Sequence, residues 1–180
     1  MKIKLDMLAN IAALGTCAAI VVALYVRPSV ATSPQPYQGP KPYTVGERMS
    51  PLPGANMTAA PRTLFLALRH DCIYCHQNLP FYKTLIERLE SQSSRPVQLV
   101  MITSDDKVTA QSYVETNGLS FAQILPTTEV ALRDLRVPGT PTLILTDQQG
   151  RIEGVWIGRL DDARQRDVLD KVLARKSGTT

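Results

Sequence analysis

Residues 63–90 read Thr-Leu-Phe-Leu-Ala-Leu-Arg-His-Asp-Cys-Ile-Tyr-Cys-His-Gln-Asn-Leu-Pro-Phe-Tyr-Lys-Thr-Leu-Ile-Glu-Arg-Leu-Glu. The stretch opens on a continuous apolar run, Thr63–Leu68, as expected for a strand covered on both faces. It closes on apolar residues at 81, 82, 85, 86 and 89, the spacing of one helix face. Cys72 and Cys75 stand at the junction. Two thiols three positions apart at a helix start can close a small disulfide and reopen it. A sulfur there meets unpaired backbone N–H groups and the positive end of the helix dipole. Both favour thiolate, lowering the pKa from the free value of about 8.5. Cys72 is therefore the expected nucleophile, and Cys75, one turn inside, the thiol that resolves the mixed disulfide.

Further along, Val97–Ile102 reads as a second buried strand. Thr109–Thr116 reads as a helix stopped by Asn117-Gly118, and Thr128–Leu135 as another capped by Thr127 or Thr128. Thr142–Leu145 and Ile152–Ile157 flank Asp147-Gln148-Gln149-Gly150 as a hairpin. Asp161-Asp162 starts a last helix with Val168, Leu169, Val172 and Leu173 on its apolar face. Pro80 falls inside the helix after the cysteines and is expected to kink it. The order β-α-β-α-α-β-β-α predicts an α/β sandwich with two early parallel strands and a terminal hairpin.

The chain has 180 residues, 44% of them hydrophobic and 20% charged, with a net charge of +4. That suits one globular domain with a short appendage. The basic residues Arg159, Arg164, Arg166, Lys171, Arg175 and Lys176 alternate with Asp161, Asp162, Asp167 and Asp170. No aromatic-basic stripe accompanies them, so they read as a solvated helix face, and no nucleic-acid partner is expected. Three cysteines are too few for a disulfide scaffold.

Met7–Val26 is a twenty-residue run without charge, long enough to span a bilayer. Lys2 and Lys4 precede it, which orients the N-terminus to the cytoplasm and the rest outside. Ser29-Val30-Ala31 offers the competing reading, a cleaved signal peptide. Cys17 reads as an apolar filler within the run. Seven prolines between Pro28 and Pro53 mark a partly extended tether. The expected organisation is a cytoplasmic stub 1–6, an anchor 7–26, a linker 27–43, a catalytic domain 44–176 and a disordered tail 177–180. Either N-terminal route exports the domain to a compartment where disulfides persist: the periplasm or outer side of a bacterial inner membrane.

The same residues admit rival chemistries. Cys72-Ile-Tyr-Cys75-His76 matches the attachment pattern for c-type haem. His76 would be one axial ligand, and Met101 and His70 are the only partners for the other face; neither is well placed. A zinc site would need both cysteines and both histidines, crowded within residues 70–76. Copper transfer would want a distant ligand, and no histidine follows His76. Peroxide chemistry would want a hydroxyl just before Cys72, where Arg69-His70-Asp71 stands. The expectation is no metal and no cofactor beyond a redox-active Cys72–Cys75 disulfide. His70, Asp71 and His76 are candidate modulators of the pair, His favouring thiolate and Asp71 opposing it. Tyr74, between the cysteines, is a candidate docking residue or a cover for the disulfide.

With Val137-Pro-Gly-Thr-Pro-Thr142 added, the chain resembles thioredoxin-fold proteins. Val45-Gly46, Ser104-Asp105-Asp106, Asn117–Phe121, Asp147–Gly150 and Gly158 narrow the resemblance to membrane-anchored TlpA/ResA-like thiol-disulfide oxidoreductases, over residues 44–175. The resemblance implies a three-layer α/β/α sandwich with an insertion between Thr103 and Thr142, preceded by one transmembrane helix. It implies a cis Pro141 facing the cysteines, with Thr140 backbone and Pro141 receiving the substrate, and Pro80 as the family's helix-kinking proline. It implies reduction of disulfides in specific protein partners and recharging by a transmembrane electron donor. Asp71 replaces the usual Trp before the first cysteine. No acid lies in Thr63–Leu68, where the family often buries a proton relay, leaving Glu115 as the candidate for that role. A redox-inert binding module using the same groove is the alternative from another class.

Overall fold

The computed structural model describes residues 39–93 and 96–174. The expected anchor 7–26, Cys17, linker residues 27–38 and the tail 177–180 lie outside them. Among the described residues no helix is long and apolar enough to cross a membrane.

The five strands are β1 (Arg62–Ala67), β2 (Val97–Thr103), β3 (Gln123–Pro126), β4 (Thr142–Asp147) and β5 (Ile152–Ile157). They form one sheet in the order β3-β2-β1-β4-β5. β1 runs parallel to β2 and antiparallel to β4, β3 runs parallel to β2, and β4 and β5 form the expected hairpin. The helices are α1 (Ile73–Gln77), α2 (Leu79–Glu90), α3 (Lys107–Thr116), α4 (Glu129–Asp134) and α5 (Asp162–Leu173).

Every residue of β1 and β2 is buried, and side-chain alternation divides them between two cores. Leu64, Leu66, Leu99 and Met101 pack with α2, α3 and α5. Phe65, Ala67, Val100 and Ile102 pack on the other face with Leu132, Leu135 and the segment from Tyr43 to Met57. The sheet is covered on both sides, giving the layered α/β arrangement expected. All five predicted apolar positions of α2 are buried, each contributing roughly 1.5–3 kcal/mol of transfer free energy.

Three features depart from the sequence reading. Pro80 does not kink a long helix. The helix breaks at Asn78, and Pro80 sits in the first turn of α2, where its missing N–H costs no intrahelical bond. β3 was not expected at all; it is a four-residue edge strand. The α3 helix begins at Lys107 rather than Thr109, because Asp106 caps it by accepting from Val108 N–H and Thr109 N–H.

Register gathers the loops. Ala67 pairs with Ile102 and Thr142, Thr103 with Pro126, and Thr142 with Ile157. The segments that follow β1, β2, β3 and β5 and the one that precedes β4 therefore meet at one end of the sheet, the carboxyl ends of the parallel strands.

At the opposite end Arg62, 4% exposed, donates to the carbonyls of Lys171, Val172 and Ala174 at 2.8, 2.8 and 2.7 Å. It satisfies the last carbonyls of α5 and places a cation at the negative end of that helix, while Glu153 lies 3.7 Å from it. Trp156 of β5 donates to Asp167 at 2.7 Å, seating the same helix on the sheet.

Candidate active site

α1 is five residues long, with Cys72 at its N-cap in an extended conformation. Cys72 and Cys75 are joined as a disulfide. Cys75 is fully buried, and Cys72 is half-buried. Cys75 N–H points at Cys72 Sγ from 3.1 Å. A helix this short carries little macrodipole, so this single amide is the local group positioned to hold a Cys72 thiolate after reduction.

Across the site the Thr140–Pro141 peptide is cis. Thr140 O lies 3.3 Å from Cys72 Sγ. This is a contact while the sulfur is in the disulfide, and an acceptor for S–H in the dithiol. Thr142 Oγ1 donates to Gly139 O at 2.6 Å, and Gly158 N–H donates to Pro141 O at 2.7 Å, fixing the turn from both sides. Ile73 and Tyr74 are 66% and 51% exposed beside the sulfurs.

Before Cys72 the chain is laced to its neighbours. Arg69 donates to both oxygens of Asp71 at 3.0 and 2.7 Å and reaches Glu129 at 3.3 Å. This fork holds the Asp71 carboxyl below its ordinary range and the Arg69 guanidinium above its own. His70 N–H and Nδ1 engage the two oxygens of Asp105 at 2.8 and 2.9 Å. His76 Nε2 meets His70 O at 2.6 Å, and its ring stands edge-on to Tyr113 at 5.5 Å between centroids. The nitrogen that a haem iron would require is thus engaged by a backbone carbonyl. Glu115 is exposed and accepts from Gln111 Nε2 at 2.8 Å; its described bond does not involve the cysteines. His70, Asp71 and Asp105 bring ligand-type atoms within 4.8 Å of one another, but the Arg69 cation already forks Asp71, which disfavours a second cation there.

Asn78 was not singled out from the sequence. It is 1% exposed. Its Oδ1 accepts from Leu160 N–H at 3.1 Å, and its Nδ2 donates to Tyr82 OH at 3.2 Å and Gly158 O at 3.4 Å. It joins the break between α1 and α2 to the loop after β5. Asp105 and Tyr113 were also missed as parts of the site, being 35 and 37 residues from His70 and His76 respectively. Burial pushes the Tyr113 hydroxyl up to about 12, with Asp105 adding to the rise.

Residues 56–173 match the family of thioredoxin-like domains. The chain belongs to that family. Its cysteine-pair disulfide makes it, by class, a thioredoxin-like thiol-disulfide oxidoreductase. A search of curated proteins found no match. Solved structures with the same fold include one described as thiol:disulfide interchange protein DsbE from Chlorobium tepidum, 18% identical over 72% of this chain and 96% of that one, TM-score 0.58. StoA from Bacillus subtilis is 18% identical over 70% and 95%, TM-score 0.52. A secreted thiol-disulfide isomerase from Corynebacterium glutamicum is 26% identical over 62% and 68%, TM-score 0.51.

The His70–Asp105 bond has a measurable consequence within this thioredoxin-like domain. It raises the His70 pKa above the ordinary 6.5. The protonated ring then favours the folded state. That contribution is complete below about pH 6.5 and fades as pH climbs through the raised value. An NMR titration of the His70 ring should show the elevated midpoint, and Asp105→Ala should return it to the ordinary range. An unshifted midpoint in the parent protein would rule the bond out in solution.

Proposed function

We propose that this protein is a membrane-anchored, extracytoplasmic thiol-disulfide oxidoreductase that reduces disulfides of specific protein partners. One observation carries the reading: a half-buried Cys72 sulfur, 3.3 Å from the Thr140 carbonyl, with Cys75 wholly buried behind it. An incoming disulfide meets Cys72 first, beside the Thr140–Pro141 turn and the exposed Ile73-Tyr74 face. The uncharged run Met7–Val26 and its flanking lysines support the anchored, exported placement.

In the dithiol form, Cys72 thiolate attacks one sulfur of the partner disulfide. A mixed disulfide forms and a partner thiolate leaves. Cys75 gives up its proton, which the first departed partner thiolate takes, and attacks Cys72 Sγ; the mixed bond breaks, and the second partner sulfur leaves as thiolate. Two electrons pass to the partner, and the protein is left as the Cys72–Cys75 disulfide. A dithiol donor in the membrane then returns two electrons and two protons.

Equilibrating the protein in glutathione redox buffers, with thiols quantified by peptide at Cys72 and Cys75, tests the assignment. A reversible transition of both thiols together is expected. A pair that never opens, or opens without closing again, would leave a redox-inert binding module as the better reading. Cell fractionation should place the protein in the membrane with its domain open to external protease, and recovery in the soluble cytoplasm would remove the anchored placement.

A further inference from the structure

We infer that His76 is a positioning residue for Cys72, acting as a tether that closes the active-site turn on itself. The inference rests on the exchange reading above and adds a residue to it. A five-residue helix does not hold its own geometry in water, so the N-cap at Cys72 depends on bonds from outside the helix. The backbone supplies a long one, Cys72 N–H to Arg69 O at 3.4 Å. His76 supplies a short one, from Nε2 to His70 O at 2.6 Å, and so ties the residue after Cys75 to the residue two before Cys72. A carbonyl oxygen only accepts, so His76 Nε2 carries the proton.

The anchor of this tether is itself fixed. His70 is held at its backbone N–H and its ring by the Asp105 carboxylate, whose side chain is 6% exposed. Asp105 N–H in turn donates to Thr103 Oγ1 at 3.0 Å, and Thr103 is the fully buried last residue of β2. A continuous line of hydrogen bonds therefore runs from the sheet through Asp105 and His70 to His76, around both cysteines. The His76 ring also rests edge-on against buried Tyr113, which limits its rotation. With the tether intact, Cys75 N–H stays aimed at Cys72 Sγ; without it the turn loosens and the thiolate loses its donor.

The test is the pH dependence of iodoacetamide alkylation at Cys72 in the reduced protein, read by peptide mass spectrometry. His76→Phe keeps a ring against Tyr113 but removes the donor, and His76→Gln keeps a side-chain N–H donor without a titratable charge. His76→Phe should raise the midpoint by about half a unit, a roughly threefold loss of thiolate below it, and His76→Gln should restore it. Asp105→Ala, which frees the anchor, should shift it the same way and covers the case in which His76→Phe fails to fold. An unchanged midpoint in His76→Phe, or in Asp105→Ala if His76→Phe does not fold, overturns the inference. An equal shift in His76→Phe and His76→Gln also overturns it, because it would assign the effect to imidazolium charge. Alkylation needs no partner or exchange, so failure here is separable from failure of the glutathione transition in the parent protein.

Discussion

Replacing Cys75 with serine should leave protein partners covalently joined to Cys72, whereas Cys72→Ser should abolish exchange and capture nothing. The asymmetry follows from burial and from sulfur chemistry. Cys72 is half-buried and Cys75 has no exposed surface, so only the first sulfur can meet an incoming disulfide. A serine hydroxyl at 72 does not ionise near neutral pH and cannot form the mixed S–S bond. A serine at 75 leaves the first attack intact and removes the second. Non-reducing electrophoresis of Cys75→Ser from cells should show adducts that collapse with dithiothreitol. Adducts on Cys75 in the Cys72→Ser protein, or none in either, would reverse or remove the order of attack.

Asn78→Ala should cost about 2–4 kcal/mol of stability, a large effect for one uncharged side chain. The amide satisfies Leu160 N–H, Tyr82 OH and Gly158 O together. Leu160 is 2% exposed and Tyr82 fully buried, so no water takes over when the amide is lost. Burial already pushes the Tyr82 hydroxyl well above the usual tyrosine range, opposed by its bond to Asn78. Urea unfolding followed by tryptophan fluorescence reads the loss directly. Because Trp156 lies in the same core, its emission reports the region concerned. A change within half a kcal/mol would mean that the three bonds are replaced in solution.

The core of the fold was legible because β1 and β2 are covered on both sides and carry the continuous apolar runs Leu64–Ala67 and Leu99–Ile102, and because α2 keeps a full apolar stripe. The hairpin was legible from Asp147 to Gly150, where Gly150 takes a φ of +75°. β3 was not, because Gln123–Pro126 is four half-exposed or exposed residues ending in proline, too short for any period to show. Pro80 was placed in the right helix but given the wrong effect. The decisive neighbour was Asn78, whose amide turns toward residues 158–160 instead of capping α2. Local pattern cannot announce a partner eighty residues away. The cysteine pair and the Thr140–Pro141 turn were visible as separate motifs, and strand register explains why they meet. The bonds from His70 to Asp105 and from Arg69 to Glu129 were invisible for the same reason as Asn78: each joins loops that only the sheet brings together.

Arg62, the first residue of β1, and Arg69, two residues past its last, stand in different media. Arg69 and its partners Asp71 and Glu129 have side chains 37%, 50% and 57% exposed, within reach of mobile ions whose screening length is about 10 Å at 0.1 M. Arg62 is 4% exposed and bonded to three carbonyls, where screening by dissolved ions is much weaker. Ionic strength therefore acts unequally on the two sides of β1: concentrated electrolyte weakens the ion pairs of the loop that carries the sulfurs more than it weakens the opposite clamp.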